Sequence, residues 1–243
     1  MVSTFLRTIV PKRWRSIAGT ARRATYVEDG LIASRISDFL LDDKFARAYE
    51  AGKATGSWDD MDLRWRVYVS CWAGQHAMRL PGDFVECGVN RGGMASAVMK
   101  YTNFSQSDKK FYLLDTYCGI PDEMKRSSAD VDFRYRECYA DVCKTFCQIP
   151  NVRIIRGAVP STLEKVESHQ IAFLSIDMNS APPEVAAAQY FWDKIVSGGI
   201  IVLDDYCYSE HYRDQKLAFD DFSQRMNTEV MALPTGQGVI FKT

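Results

Sequence analysis

From residue 82 onward the chain alternates short apolar runs with helical runs, and this alternation restricts the fold more than any other feature. Strands that are apolar on both faces belong to parallel sheets covered by helices on both sides. The predicted strands of this kind cover residues 83–89, 110–116, 152–158, 171–178 and 199–206. Two shorter strands are predicted at 229–233 and 238–241. We therefore expect an α/β fold with a seven-stranded, mostly parallel sheet and helices on both faces.

The same spacing of apolar residues predicts the helices. Within the alternating region they cover residues 93–101, 182–196 and 212–226, and before it they cover residues 34–54 and 60–78. The two earlier helices precede the regular part of the chain, so we expect them to form a cap that supplies part of a ligand pocket or a contact between subunits of a homo-oligomer. The predicted division is a basic arm with a helical cap over residues 1–80 and the sheet domain over residues 81–243.

A glycine-rich turn follows the first strand of the sheet. Gly88, Gly92 and Gly93 allow close approach of a ligand to the backbone and open a helix N-terminus. Right-handed crossovers place all parallel strand ends on one edge, where ligands bind. Asn90 occupies the second glycine position of a G-x-G-x-x-G fingerprint, which argues against a nicotinamide-dependent oxidoreductase. Asp115 ends the second strand, and together these features favour a nucleoside ligand, although a tight turn and a helix cap would also explain them.

Acidic residues also end the fourth and fifth strands. Asp177 ends the fourth strand, and Asp204 and Asp205 end the fifth. Neighbouring parallel strands would bring the three carboxylates within a few ångströms, where they repel one another unless a hard cation lies between them. We therefore predict a divalent-cation site, the alternative being that each aspartate caps the helix that follows.

The cysteine content argues against a disulfide scaffold. The chain has seven cysteines, an odd number, and no Cys-x-x-Cys pair, which favours a reducing compartment such as the cytoplasm. Cys138, Cys143 and Cys147 cluster, but their spacing matches no common zinc site and no histidine lies nearby. We expect them to be buried or half-buried side chains of a helix.

The N-terminal 25 residues carry six basic residues and no acidic residue. The rest of the chain, with 24 basic and 31 acidic residues, has a net charge of −7. Apolar residues alternate with the basic ones, so residues 1–25 suit peripheral contact with an anionic membrane surface or a partner, and equally an arm packed on the domain. The net charge of −1 for the whole chain argues against nucleic-acid binding.

Five segments of the sheet domain resemble a known family. They are GDFVECGVNRGG (82–93), LLDTYCGIPD (113–122), IDMN (176–179), GGIIVLDDY (198–206) and LPTGQGVIFK (233–242). They look like the macrocin O-methyltransferase family, whose members depend on S-adenosylmethionine and magnesium and in many cases methylate sugar hydroxyls of natural products. The resemblance covers residues 82–243. It implies a Rossmann-like class I methyltransferase fold for residues 81–243 and an O-methyltransferase acting on a sugar or glycan acceptor.

The resemblance also implies roles for individual residues. The S-adenosylmethionine site would comprise Glu86, Gly88, Asn90, Arg91, Gly92 and Gly93 around the methionine part, Asp115 and Thr116 at the ribose, Gly157 and Ala158 near the adenine, and Asp177. The Mg²⁺ ligands would be Asp177, Asp204 and Asp205. Tyr117, Tyr135 and Tyr139 would either stack on the acceptor or belong to the core.

One position departs from the family pattern. The second acid after the fourth strand, a proposed general base in relatives, is Asn179 here, and an amide accepts no proton at neutral pH. We therefore expect Asp177 and His211 to act as catalytic residues, with Mg²⁺ lowering the pKa of the acceptor hydroxyl and His211 removing its proton. His211 could equally be an exposed loop residue. Asn179 also supports a second interpretation, a non-catalytic relative that binds the cofactor and acts as a partner or scaffold.

Overall fold

The computed structural model of the chain describes residues 23–125 and 135–243. Most of the basic segment proposed to contact a membrane, residues 1–22, lies outside the described residues. A hairpin of β1 (Tyr26–Glu28) and β2 (Leu31–Ala33) comes first. The strands of the main sheet are β3 (Asp83–Cys87), β4 (Phe111–Asp115), β5 (Val152–Arg156), β6 (Ile171–Ile176), β7 (Ile195–Leu203), β8 (Met231–Ala232) and β9 (Gly238–Phe241).

The sheet has seven strands in the order β5-β4-β3-β6-β7-β9-β8. The five strands from β5 to β7 in this order are parallel, and β9 is antiparallel to both of its neighbours. The mostly parallel α/β sheet predicted from the sequence is thereby confirmed. Strand order reverses between β3 and β6, and in open α/β sheets this switch point is where ligands bind.

The helices are α1 (Asp43–Lys53), α2 (Arg64–Ala77), α3 (Gly93–Thr102), α4 (Tyr139–Phe146), α5 (Ala181–Phe191) and α6 (Arg213–Arg225). Helix α1 begins later than predicted because the Asp42 side chain accepts a hydrogen bond from Lys44 N at 2.8 Å and caps the helix there. Helix α5 ends earlier than predicted, since the β-branched residues from Ile195 join β7. Consequently β7 runs over 195–203 and its last residue directly precedes Asp204 and Asp205.

Alternate residues of each strand face two different hydrophobic cores. Phe84, Phe111 and Phe173 pack with α1, α2 and α3 on one face. Their neighbours Val85 and Leu174 pack with α5 and α6 on the other. Each such buried side chain contributes about 1.5–3 kcal/mol to the free energy of unfolding. The predicted cap helices therefore cover the same face as α3, and the division of the chain at residue 80 stays a prediction.

The clustered cysteines surround α4. Cys138 at its N-terminus is buried and Cys143 is half-buried, as expected, but Cys147 at its C-terminus is exposed and that part of the expectation is wrong. Helix α4 is short and starts only after the Cys138 cap position, so Cys147 falls just beyond its last residue. Among the residues that the structure describes, none of the helices is both long and apolar enough to cross a membrane.

Candidate functional site

A cavity of about 360 Å³ opens at the carboxyl ends of the parallel strands, a volume within the range that suits a small ligand. It lies at the switch point between β3 and β6. Eleven residues predicted from the sequence line it: Glu86, Gly88, Asn90, Gly93, Asp115, Thr116, Gly157, Ala158, Asp177, Asp204 and Asp205. The folding of the sheet thus brings together residues that are separated by up to 119 positions in the chain.

Three predicted site residues lie outside this cavity lining. The Arg91 guanidinium pairs with Asp141 at 3.3 Å on the surface. Gly92 adopts φ +87° at the start of α3, where a Cβ would lie 2.6 Å from the Phe146 ring, so its role is conformational. His211 is exposed and packs edge-on against the Tyr212 ring at 5.0 Å. Its assignment as a base stays a prediction.

Gly88 and Asp115 shape the turn that enters the cavity. Gly88 has φ +90°, and a Cβ there would lie 1.8 Å from the Asp177 carbonyl oxygen. The Asp115 carboxylate accepts hydrogen bonds from Val89 N at 2.7 Å and from Asn90 N at 2.8 Å through one oxygen. Asp115 therefore holds the glycine turn in place while it also lines the cavity, so this structural role is compatible with the predicted binding role.

Glu86 is a buried carboxyl without a full set of partners. It is 2% exposed and lines the cavity. One side-chain oxygen accepts a hydrogen bond from the Ala95 backbone, whereas Oε2 has no partner among the described residues. Burial, reinforced by the negative charges of Asp204 and Asp115, raises the pKa of Glu86 well above its usual value. A buried acceptor that lacks a donor is costly in the free protein, and a ligand donor would satisfy it.

The three strand-end aspartates meet at one side of the cavity. Asp204 and Asp205 are buried, and burial together with their charges raises the pKa of Asp177. A positive charge is already present, because Arg66 of α2 donates hydrogen bonds to Asp204 and, at 3.2 Å, to Asp205. Gln237 Nε2 donates to Asp204 at 2.8 Å.

This arrangement does not fit a divalent ion. Oxygen-rich sites suit Mg²⁺ in chemical type. However, within residues 23–125 and 135–243 no three His, Cys, Asp or Glu side chains are arranged to hold a metal ion. The Arg66 guanidinium occupies the carboxylate oxygens that a metal would need. We therefore derive no catalytic step through Mg²⁺.

Asn179 joins two tyrosines to the acidic side of the cavity. Its Oδ1 accepts a hydrogen bond from the Tyr212 hydroxyl at 3.0 Å, and its Nδ2 donates to the Tyr135 hydroxyl at 3.3 Å and to Asp177 Oδ1 at 3.4 Å. Tyr135 thus lines the cavity, as predicted for an acceptor contact. Tyr117 is buried, with its hydroxyl donating to Leu113 O, and also lines the cavity, whereas Tyr139 packs against it outside the lining.

Sequence reasoning missed Arg66, Tyr212, Ser57 and Trp58, which also line the cavity. A signal for Arg66 was present. It shares the buried stripe of α2 with Ser70, Ala73 and Ala77, and a cation on an apolar helix face needs an acidic partner. Tyr212 carried no such signal, because it stands at the start of a predicted helix among the polar residues Glu210, His211 and Arg213.

Glu184 should make the stability of the protein depend on pH. Its buried carboxyl accepts hydrogen bonds from Met178 N and Gln215 Nε2, and burial, with a smaller effect of Asp205, raises its pKa to about 8. A raised carboxyl pKa favours folding below the unfolded-state pKa, and this contribution is lost as the pH rises toward 8. We expect Glu184→Gln to flatten the fall in the free energy of unfolding between pH 5 and pH 8 by roughly 1–3 kcal/mol. Urea unfolding between pH 5 and pH 8 measures this change, with the exposed Glu164→Gln as the control. If the free energy of unfolding of Glu184→Gln falls with pH as steeply as that of the wild type, Glu184 is not the group responsible.

Comparisons of the sequence with known proteins identify a family and a relative. The family model described as Macrocin-O-methyltransferase (TylF) matches residues 64–233. Mycinamicin III 3''-O-methyltransferase of Micromonospora griseorubida is 25% identical over 145 residues, which are 53% of this chain and 56% of that protein. The match to this curated relative thus spans only about half of its length.

Solved structures share the fold. The O-methyltransferase NovP superposes with a TM-score of 0.61 at 20% identity, over 73% of this chain and 79% of that chain. CalS11, a calicheamicin methyltransferase, superposes with a TM-score of 0.59 at 13% identity, over 72% of this chain and 77% of that chain. PaMTH1 of Podospora anserina, solved with SAH bound, superposes with a TM-score of 0.53 at 16% identity, over 97% of this chain and 98% of that chain. Because the family model covers most of the chain and the sheet has the class I methyltransferase architecture, the chain belongs to the macrocin O-methyltransferase family.

Proposed function

We propose that this protein is an S-adenosylmethionine-dependent O-methyltransferase that acts on a hydroxyl of a sugar or glycan-type natural product. Family membership and the activities named for the relatives support the reaction class. The observation that carries the proposal for this chain is the buried Glu86 oxygen beside the Gly88 turn, at the switch point of the sheet, which has no partner within residues 23–125 and 135–243. A cationic donor is the ligand group that such an oxygen fits best.

The residues present fit the cofactor. Glu86 would accept from the ammonium group of the methionine part. Asp115, which lines the cavity, would accept from a ribose hydroxyl in place of the Thr116 hydroxyl, which donates to its Oδ1 at 3.2 Å in the free protein. Gly157 and Ala158 would lie along the adenine. When bound, the cofactor supplies an electrophilic methyl group on a sulfonium centre.

Asp177, which lines the cavity, replaces the exposed His211 as the residue that we propose to take the proton from the acceptor hydroxyl. Its carboxyl lines the cavity, and Asn179 Nδ2 at 3.4 Å orients one of its oxygens. Burial raises the pKa of Asp177, which makes its ionised form a stronger base than an ordinary carboxylate. Tyr135 and Tyr212, both in the cavity lining, would contact the acceptor and limit the entry of water.

Magnesium dependence stays a prediction from the sequence. The proposal includes no metal step, because Arg66 bonds the carboxylates that would bind the ion. Transfer that is unchanged by EDTA would agree with this form of the proposal, whereas complete loss would show that the metal binds after all.

Replacing Asp177 with asparagine tests the proposed chemistry. We expect S-adenosylmethionine affinity, measured by calorimetry, to stay within about threefold, while methyl transfer to a panel of glycosides falls by about 10²–10⁴-fold. Asp141→Asn is the matched control, because Asp141 is exposed and pairs with Arg91 outside the cavity. Equal transfer by Asp177→Asn and wild type would contradict the assignment.

Asn179 favours a second candidate function, a cofactor-binding protein without transfer activity. The amide stands where relatives are expected to carry an acid, and both of its polar groups are already engaged by tyrosines. The same experiment separates the two functions. Cofactor binding by the wild type without transfer to any acceptor favours this alternative, and absence of binding contradicts both.

A further inference from the structure

Arg66 extends from the cap-side helix α2 into the acidic side of the cavity. The residue is 8% exposed, and its Nη2 donates to the Asp204 carboxylate and, at 3.2 Å, to Asp205 Oδ1. These are two of the carboxylates that the sequence assigns to a divalent cation. A buried arginine that bonds two carboxylates is a strongly held counter-ion, since removing either partner leaves a buried charge unpaired.

Further contacts fix the Arg66 guanidinium from other elements. Its central carbon lies 4.8 Å from the centre of the Tyr208 ring, and Nη1 lies 4.0 Å from Asp29 Oδ2. The Tyr208 hydroxyl in turn donates to the other Asp29 oxygen at 3.0 Å. Gln237 Nε2 donates both to Asp204 and, at 3.3 Å, to the Arg66 carbonyl oxygen. The β1–β2 hairpin and the loop before α6 therefore contact this side chain directly, and the loop before β9 holds its partner Asp204.

A divalent ion and this guanidinium compete for the same oxygens. Mg²⁺ requires carboxylate oxygens at about 2.0–2.1 Å, and two cations this close in a buried site repel strongly. We propose that Arg66 is the resident cation of the Asp204–Asp205 pair, and that a divalent ion binds these carboxylates only by displacing it. Arg66 is thus a positioning residue that keeps the two aspartates in place without a metal.

The inference does not rest on the proposed function, because the expectation of a cation at this position comes from the sequence. Its test measures binding of Mn²⁺ alone to the full chain by electron paramagnetic resonance, without cofactor or acceptor, so it can fail independently of methyl transfer. The variants are Arg66→Met, which keeps an unbranched flexible side chain without the charge, and Arg66→Gln, which keeps hydrogen-bond donors. Arg64→Met is the control, since Arg64 lies on the same helix and pairs with Asp62 away from the cavity.

We expect the wild type and Arg64→Met to bind Mn²⁺ with a Kd weaker than about 1 mM. Each Arg66 variant that keeps its circular dichroism spectrum should bind at least about tenfold more tightly, and adding Asp204→Asn should remove the gain. A smaller gain in the folded variants, or a gain that persists without Asp204, would overturn the inference. If both variants unfold, the wild-type titration decides alone, because a Kd tighter than about 1 mM would show that Arg66 does not block the site.

Discussion

Replacing Gly88 with alanine is expected to lower the free energy of unfolding by about 3 kcal/mol or more and to abolish S-adenosylmethionine binding. The new Cβ would lie 1.8 Å from the Asp177 carbonyl oxygen, and that oxygen belongs to backbone that cannot rotate away. The segment after β3 and the segment after β6 would have to separate. Both line the cavity, so the loss of stability and the loss of binding have the same cause.

Gly30 provides a matched control for this effect. It also has a positive φ, +71°, but nothing lies within 4 Å of the position that its Cβ would take. Gly30→Ala therefore carries only the cost of the backbone conformation, about 1–2 kcal/mol, and should leave cofactor affinity unchanged. Urea unfolding and calorimetry on the two variants measure the difference. Equal destabilisation by both would show that the contact with Asp177 is relieved without cost.

Replacing Glu86 with glutamine is expected to change stability and affinity in opposite directions. The variant removes the charge that would meet the ammonium group of the cofactor, so affinity should fall by about 30–150-fold. It also removes a buried carboxyl whose pKa is higher in the folded than in the unfolded protein. Such a group destabilises the folded state once the pH exceeds the pKa of an unfolded glutamate. At pH 8 the free energy of unfolding should therefore be unchanged or higher.

Calorimetry with S-adenosylmethionine and urea unfolding at pH 6 and pH 8 test this pair of effects. Glu164→Gln, an exposed carboxyl outside the cavity, should alter neither quantity. A variant that loses stability and keeps its affinity would assign Glu86 a structural role and would remove the main support for the proposed cofactor position.

The strands and the residues that end them could be predicted from the sequence because both depend on the order of apolar and polar residues within a short stretch of chain. Continuous apolar runs predicted β3, β4, β5 and β6 to within two residues, and the fixed direction of parallel strands then placed Asp115 and Asp177 at one edge. For Gly88 the sequence left a ligand contact and a tight turn open, and the structure gives it a positive φ with the Asp177 backbone close by. The family resemblance added the identity of the ligand, which local order does not contain.

Only the tertiary structure decided how the charges of the site are balanced. Asp204 and Asp205 meet a guanidinium from position 66, which lies 138 residues away in the chain and in a helix that the resemblance did not cover. Exposure of His211, and its absence from the cavity lining, depended likewise on where the turn after β7 lies. A sequence specifies which groups are charged and which strand ends carry them. Which opposite charge reaches them depends on distances across the folded chain, since electrostatic interactions fall with separation in space and not along the sequence.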